Sequence, residues 1–127
     1  MAQACLVFDA TRICPNATVY VDGWGKSGTL LAINPSTGNA IVKSDSNYGQ
    51  YSVKITDISV QLPFYSGVKL NETVYPEGWV GAGTVVAFNP HKGTLTVQSH
   101  RNYSLNIVRP CDVGQTGHCI VYVQKTN

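Results

Sequence analysis

Asn16-Ala17-Thr18-Val19-Tyr20-Val21-Asp22-Gly23-Trp24 decides the fold, because the chain writes it again as Asn71-Glu72-Thr73-Val74-Tyr75-Pro76-Glu77-Gly78-Trp79. Outward from there, at the same spacing of 55 residues, Gly28, Thr29, Ala32, Asn34, Pro35, Gly38, Val42, Ser44, Asn47 and Tyr48 recur as Gly83, Thr84, Ala87, Asn89, Pro90, Gly93, Val97, Ser99, Asn102 and Tyr103. Of the 33 positions so aligned, 16 are identical without a gap. Leu30, Leu31 and Ile33 become Val85, Val86 and Phe88, one apolar residue for another, so what persists is a folding pattern. Such a period implies two copies of one supersecondary unit that bury their apolar faces together.

Each copy reads as strands. Thr18-Val19-Tyr20-Val21 is β-branched and aromatic, and Asp22-Gly23-Trp24-Gly25 is a turn-forming loop. Two β-rich runs, 29–34 and 39–45, are joined by Pro35-Ser36-Thr37-Gly38, where proline sets φ for a turn and glycine supplies a positive φ. Tyr51-Ser52-Val53-Lys54-Ile55 alternates as a fourth run, and Thr56-Asp57-Ile58-Ser59 reads as a single turn into a last strand around Val60. The second copy repeats the plan, its hairpin turning at Pro90-His91-Lys92-Gly93. Tyr51-Ser52-Val53-Lys54-Ile55 matches Tyr103-Ser104-Leu105-Asn106-Ile107 best with about three residues deleted, which predicts loops of unequal length before the fourth strand. Residues 1–14 form a lead-in, 15–62 the first unit, 63–69 a connector, 70–114 the second unit and 115–127 a tail with a β-run at 120–124. No segment has helical spacing of apolar residues, so the expectation is an all-β protein with at most single helical turns.

Composition bounds the partners. A unit of about 60 residues lies near the lower limit of independent stability, so packing or stapling of the two is expected. The net charge is +2 with 13% charged residues, and no run of Lys or Arg offers a polyanion groove, which argues against nucleic acid. No run approaches the roughly 20 apolar residues of a transmembrane segment. Four cysteines beside a single methionine in 127 residues point to an oxidising compartment. Ala2-Gln3-Ala4 resembles the end of a signal-peptide cleavage site, so the expected localisation is periplasmic or secreted, with the signal peptide removed. Four cysteines permit three pairings. Bridges from lead-in to tail, Cys5 or Cys14 with Cys111 or Cys119, are favoured because the terminal extensions would cover edge strands; Cys5–Cys14 with Cys111–Cys119 is the alternative.

The order of strand, Gly-rich loop with an aromatic, hairpin with a Gly turn, strand, short turn and strand resembles the SH3-like small barrels, including the Tudor and bacterial SH3 groups. Gly23-Trp24, Gly28-Thr29-Leu30-Leu31-Ala32-Ile33, Gly38, Val42 and Ile55-Thr56-Asp57-Ile58 carry the resemblance, with their matches through Val97 and Ile107, over residues 15–62 and 70–114. It implies two tandem SH3-like barrels, packed together and disulfide-stapled. It also implies a binding module that grips peptides, glycans or modified side chains with loop aromatics.

Candidate ligand-binding residues follow from the repeated loops: Trp24 and Trp79, Tyr48 and Tyr103, with Asn47 and Asn102 as neighbouring polar contacts. Aromatic faces with a polar edge suit a sugar ring, a proline or a cation; the competing reading is that each Trp covers one end of its own barrel. Gly25-Lys26-Ser27 lacks the upstream glycine and following helix of a phosphate loop. His91, His100 and His118 all lie in the second half; a metal site of His118, Cys119 and Cys111 lacks zinc spacing, so no metal or cofactor is expected. Paired cysteines leave no thiol nucleophile. Asp22 and Glu77 match across the copies and could flank a hydrolytic cleft, but each reads better as a solvated turn residue. Asn16, Asn71 and Asn102 begin glycosylation sequons, relevant only in a eukaryotic secretory host. The expected function is a non-enzymatic exported module for a protein or cell-envelope (peptidoglycan or glycan) ligand. The alternative is a structural or inhibitory periplasmic protein docked to one protein partner.

Overall fold

The computed structural model describes residues 4–113. The β-rich runs form β1 (Leu6–Phe8), β2 (Thr11–Ile13), β3 (Thr18–Val21), β4 (Ser27–Asn34), β5 (Asn39–Ser44) and β6 (Gln50–Lys54). A 3-10 turn at Ile55–Asp57 then leads into β7 (Ile58–Val60). After β8 (Phe64–Tyr65) and β9 (Val68–Lys69) come β10 (Thr73–Val74), β11 (Gly83–Asn89), β12 (Thr94–Ser99), β13 (Leu105–Val108) and a second 3-10 turn at Pro110–Val113. The described residues contain no α-helix, and none of their helical turns is long and apolar enough to cross a membrane.

β1 and β2 pair as one hairpin and β8 and β9 as another, so the connector between the copies is itself a hairpin, turned at Ser66 and Gly67 with φ of 54° and 81°. The other nine strands make one antiparallel sheet, ordered β13-β12-β11-β7-β3-β4-β5-β6 with β10 added on β11, which curls into a half-barrel. β7 is the join. It pairs with β3 through Val19↔Val60, Tyr20↔Ser59 and Val21↔Ile58, and with β11 through Phe88↔Val60.

The spacing of 55 governs backbone detail. Gly38 and Gly93 hold φ of 75° and 72° in the hairpin turns, where an L side chain would be strained. Asn16 and Asn71 hold 83° and 69°, which asparagine tolerates best among non-glycine residues, so these two repeat for the backbone. Both long hairpins shift register at one place, between Leu30 and Ala32 and between Val85 and Ala87. A β-bulge increases local twist and helps the sheet curl.

The loop before the fourth strand corrects an expectation. It runs from Ser44 to Gln50 in one copy and from Ser99 to Leu105 in the other, equal in length. Ser44 N donates to Gly49 O at 2.8 Å, and Ser99 N to Ser104 O at 2.9 Å. Val53 therefore matches Val108, and the turn at Ile55–Asp57 matches the one beginning at Pro110. Side-chain likeness misaligned the copies there because β6 and β13 have their own surroundings, whereas the backbone ladder kept step.

Buried residues alternate along β3 and β5, as in a sheet with one buried face, whereas β7, β11 and β12 each carry three buried residues in a row. Val19, Leu30, Val42, Ile58 and Val60 join Val85, Phe88, Leu95 and Val97 in a single buried cluster. A fully buried Val, Leu or Phe side chain contributes roughly 1.5–3 kcal/mol, so the shared cluster supplies what neither short copy could gather alone.

The favoured lead-in-to-tail bridging is overturned: Cys5 and Cys14 are bonded to each other, with Cα atoms 4.3 Å apart. The reason is register. Leu6↔Ile13, the outermost pair of the β1–β2 hairpin, places the next residues on either side opposite one another. The lead-in thus has a partner in itself. No described cysteine is free, and Cys119, His118 and the expected strand at 120–124 lie outside the described residues.

Candidate functional site

The loops after β5 and β12 have the same construction. Ser44 and Ser99 are buried, and their hydroxyls accept from the backbone N–H of Ser46 at 3.3 Å and of Arg101 at 3.1 Å. Asn47 Oδ1 accepts from Gly49 N at 2.8 Å, and Asn102 Oδ1 from Ser104 N at 3.0 Å, each closing an Asx turn. The residue inside each turn is left-handed. Tyr48 has φ of 61° and Tyr103 of 60°, and their N–H groups donate to Ser44 O and Ser99 O, both at 2.8 Å. Tyr48 is 74% exposed and Tyr103 72% exposed. A tyrosine in this backbone region costs on the order of 1 kcal/mol relative to an unstrained residue.

The asparagines are therefore turn builders first. Asn47 also donates from Nδ2 to Tyr51 Oη at 3.1 Å, while Asn102 Oδ1 accepts from Ser104 Oγ at 2.7 Å.

The tryptophans sit half-buried against the core. Their loops are set by Trp24 N donating to Val21 O and Trp79 N to Pro76 O, at 3.0 and 3.1 Å, with Gly23 and Gly78 both at φ 86°. Gly28 and Gly83 make room for the indoles. A Cβ at Gly28 would lie 3.1 Å from Trp24 Cζ3, and one at Gly83 would lie 3.0 Å from Trp79 Cζ3. The repeated Trp and the repeated Gly are one packing unit. Trp24 additionally meets Tyr51 edge to face, with centroids 5.4 Å apart.

The carboxylate pair proposed for hydrolysis is differently engaged. Asp22 Oδ2 accepts from Lys92 Nζ at 2.6 Å, and the same ammonium donates to Asp57 Oδ1 at 2.7 Å. These hydrogen bonds, Asp22 first and Asp57 second, hold the Lys92 ammonium above its ordinary range. Glu77 is exposed, and no hydrogen bond or ion pair among the described residues joins it to Asp22. The backbones agree where the side chains differ: Asp22 N donates to Asp57 O at 3.0 Å and Glu77 N to Asp112 O at 2.7 Å. Asp57 and Asp112 stand 55 apart, a match that sequence reasoning missed and that carrying the alignment past the fourth strand would have found.

His91 meets the ring of Phe8 at 5.6 Å, and His100 Nε2 lies 2.7 Å from Thr84 Oγ1. Among the described residues no three His, Cys, Asp or Glu groups gather as metal ligands. Tyr20 is raised above the usual phenol value by burial and then by the nearby charge of Asp45. What the loops offer chemically is two outward tyrosines, two half-covered indoles and a fringe of amides and hydroxyls. No family model matches the chain, and no curated protein matches it.

Proposed function

We propose that the chain is an exported, non-enzymatic binding module of two SH3-like units that grips a protein or cell-envelope glycan through the tyrosine loops and the indoles beneath them. One observation carries this reading. At matched positions, Tyr48 and Tyr103 occupy left-handed backbone that disfavours their side chains, and both rings stand almost wholly in water. Neither ring adds to the core, and strained residues held by well-bonded surroundings concentrate at functional sites. Loops positioned by a rigid sheet are the usual place for such residues.

Two further features support it. The chain order of strand, Gly-rich loop, long hairpin, strand, short turn and strand on which the resemblance was drawn runs here from β3 to β7, with a 3-10 turn before β7. The Cys5–Cys14 bond suits an oxidising compartment outside the cytosol.

The test is retention of the full chain on insoluble peptidoglycan and on immobilised envelope proteins. Replacing both tyrosines, Tyr48→Ala with Tyr103→Ala, is expected to lower retention by about tenfold or more, in the manner of aromatic hot spots, with an unchanged circular dichroism spectrum. Undiminished retention refutes the reading.

A further inference from the structure

The two copies differ beside their tryptophans. In the first, Tyr51 lies edge-on to Trp24, takes a hydrogen bond from Asn47 and passes over Gly49, where an added Cβ would sit 2.7 Å from Tyr51 Oη. At the same spacing, Asn106 stands in place of Tyr51 and Ser104 in place of Gly49. A cavity of about 470 Å³ opens there, lined by Trp79, Val80, Arg101, Asn102, Ser104 and Asn106 among others. The first copy carries its own ring in this groove. The second leaves it open.

The lining decides what enters. Trp79 supplies one aromatic face, and polar side chains supply most of the rest. Asn102 Oδ1 is committed to Ser104, so its Nδ2 hydrogens remain for a ligand; Asn106 Nδ2 is bound to Ser104, so its Oδ1 can accept. Arg101 is the one charged residue of the lining, and it pairs with no carboxylate among the described residues. A second phenol would meet the Cβ of Ser104 where Gly49 leaves space. A ring with an apolar face for the indole, hydroxyls for the amides and a carboxylate for the guanidinium satisfies every group, and the volume lies within the roughly 300–1,000 Å³ of small-ligand sites.

We infer that the groove beside Trp79 binds a saccharide ring bearing a carboxylate, at one site per chain. This rests on the binding-module reading and names its ligand class.

The experiment titrates the full chain by calorimetry with a disaccharide of glucuronic acid and N-acetylglucosamine, and with neutral N,N′-diacetylchitobiose. One acidic disaccharide is expected per chain, with the neutral one at least about tenfold weaker and Arg101→Gln removing the difference, as loss of a charge-assisted contact implies. Ser104→Gly with Asn106→Tyr copies the first groove's plug and is expected to abolish binding. Gly49→Ser with Tyr51→Asn opens the first groove, and adding Ser46→Arg supplies the counterpart of Arg101; this triple variant is expected to raise the stoichiometry to two. Binding that survives the plug, equal affinity for the neutral sugar, or no binding of the acidic one overturns the inference. If the chain still shows tyrosine-dependent retention on peptidoglycan or envelope proteins, only the saccharide assignment falls. If that retention is absent too, the binding-module reading falls with it.

Discussion

Asn89, fully buried, donates from Nδ2 to the carbonyl of Thr56 at 2.9 Å, across 33 residues of chain. Its counterpart Asn34 is exposed and only orders its own turn, accepting from Ser36 N at 3.1 Å. The same Ala-x-Asn-Pro sequence therefore does two things. In the second copy the hairpin end is pressed onto the first copy, with Phe88 on Val60 and Lys92 between Asp22 and Asp57. In the first copy it points into water.

Asn89→Ala takes a fully buried side chain, and with it the donor to the Thr56 carbonyl, out of the contact between the copies. Losing a buried hydrogen-bond partner costs about 1–3 kcal/mol, whereas Asn34→Ala, a surface change, is expected to stay within about 0.5 kcal/mol. Urea unfolding of the two variants measures the contrast. Equal effects would mean that the hairpin contact between copies contributes nothing.

Gly28→Ala places a methyl group 2.7 Å from Val42 Cγ1 and 3.0 Å from the Lys43 carbonyl, with the indole of Trp24 at 3.1 Å. Overpacking of this kind costs typically about 1–3 kcal/mol. The indole is the part best able to yield, so red-shifted tryptophan fluorescence is expected along with the lowered urea midpoint. A neutral effect on both would disprove the packing-unit account of Trp and Gly.

Tyr48→Gly and Tyr103→Gly separate stability from function. Glycine relieves the left-handed strain but gains freedom in the unfolded chain, so a net effect between about 0 and 1 kcal/mol in favour of folding is expected for each. Retention on the ligand should fall. A variant that is less stable by more than about 1 kcal/mol would show that the rings hold the loops together, contrary to their exposure.

Alkaline pH weakens the fold. The folded values of Lys92 and Tyr20 are raised above their ordinary 10.5 and 10.0, so on raising the pH the unfolded chain releases these protons first. Stability is then complete below pH 10 and declines through and above that range. Thermal melts between pH 8 and 12 are expected to show the decline, reduced in Lys92→Met and in Tyr20→Phe. Because Lys92 is exposed, its share should shrink in high salt. A flat profile in the wild-type chain contradicts this.

Reducing the Cys5–Cys14 bond releases a loop of nine residues' separation. Loop-closure entropy puts its contribution at about 3 kcal/mol. Cys5→Ser with Cys14→Ser is expected to lower the melting temperature without altering the far-ultraviolet spectrum, since the β1–β2 hairpin stands apart from the nine-stranded sheet. Loss of all β signal would mean that the lead-in nucleates the sheet.

Much of the architecture is local and so was legible in the chain itself. Turn glycines, β-branched runs and their repetition determine strands, hairpins and an all-β class, because backbone preference acts over a few residues. The tryptophan and tyrosine loops were legible for the same reason, each being built from neighbours such as Ser44, Asn47 and Gly49. Tertiary structure decided the rest. That β7 pairs with both β3 and β11, that Lys92 reaches Asp22, and that Tyr51 fills one groove while Asn106 leaves the other open are contacts between residues whose identities carry no mark of their partners. Sequence records which side chains are present; register and burial determine which of them meet, and the free energy of those meetings depends on the whole sheet.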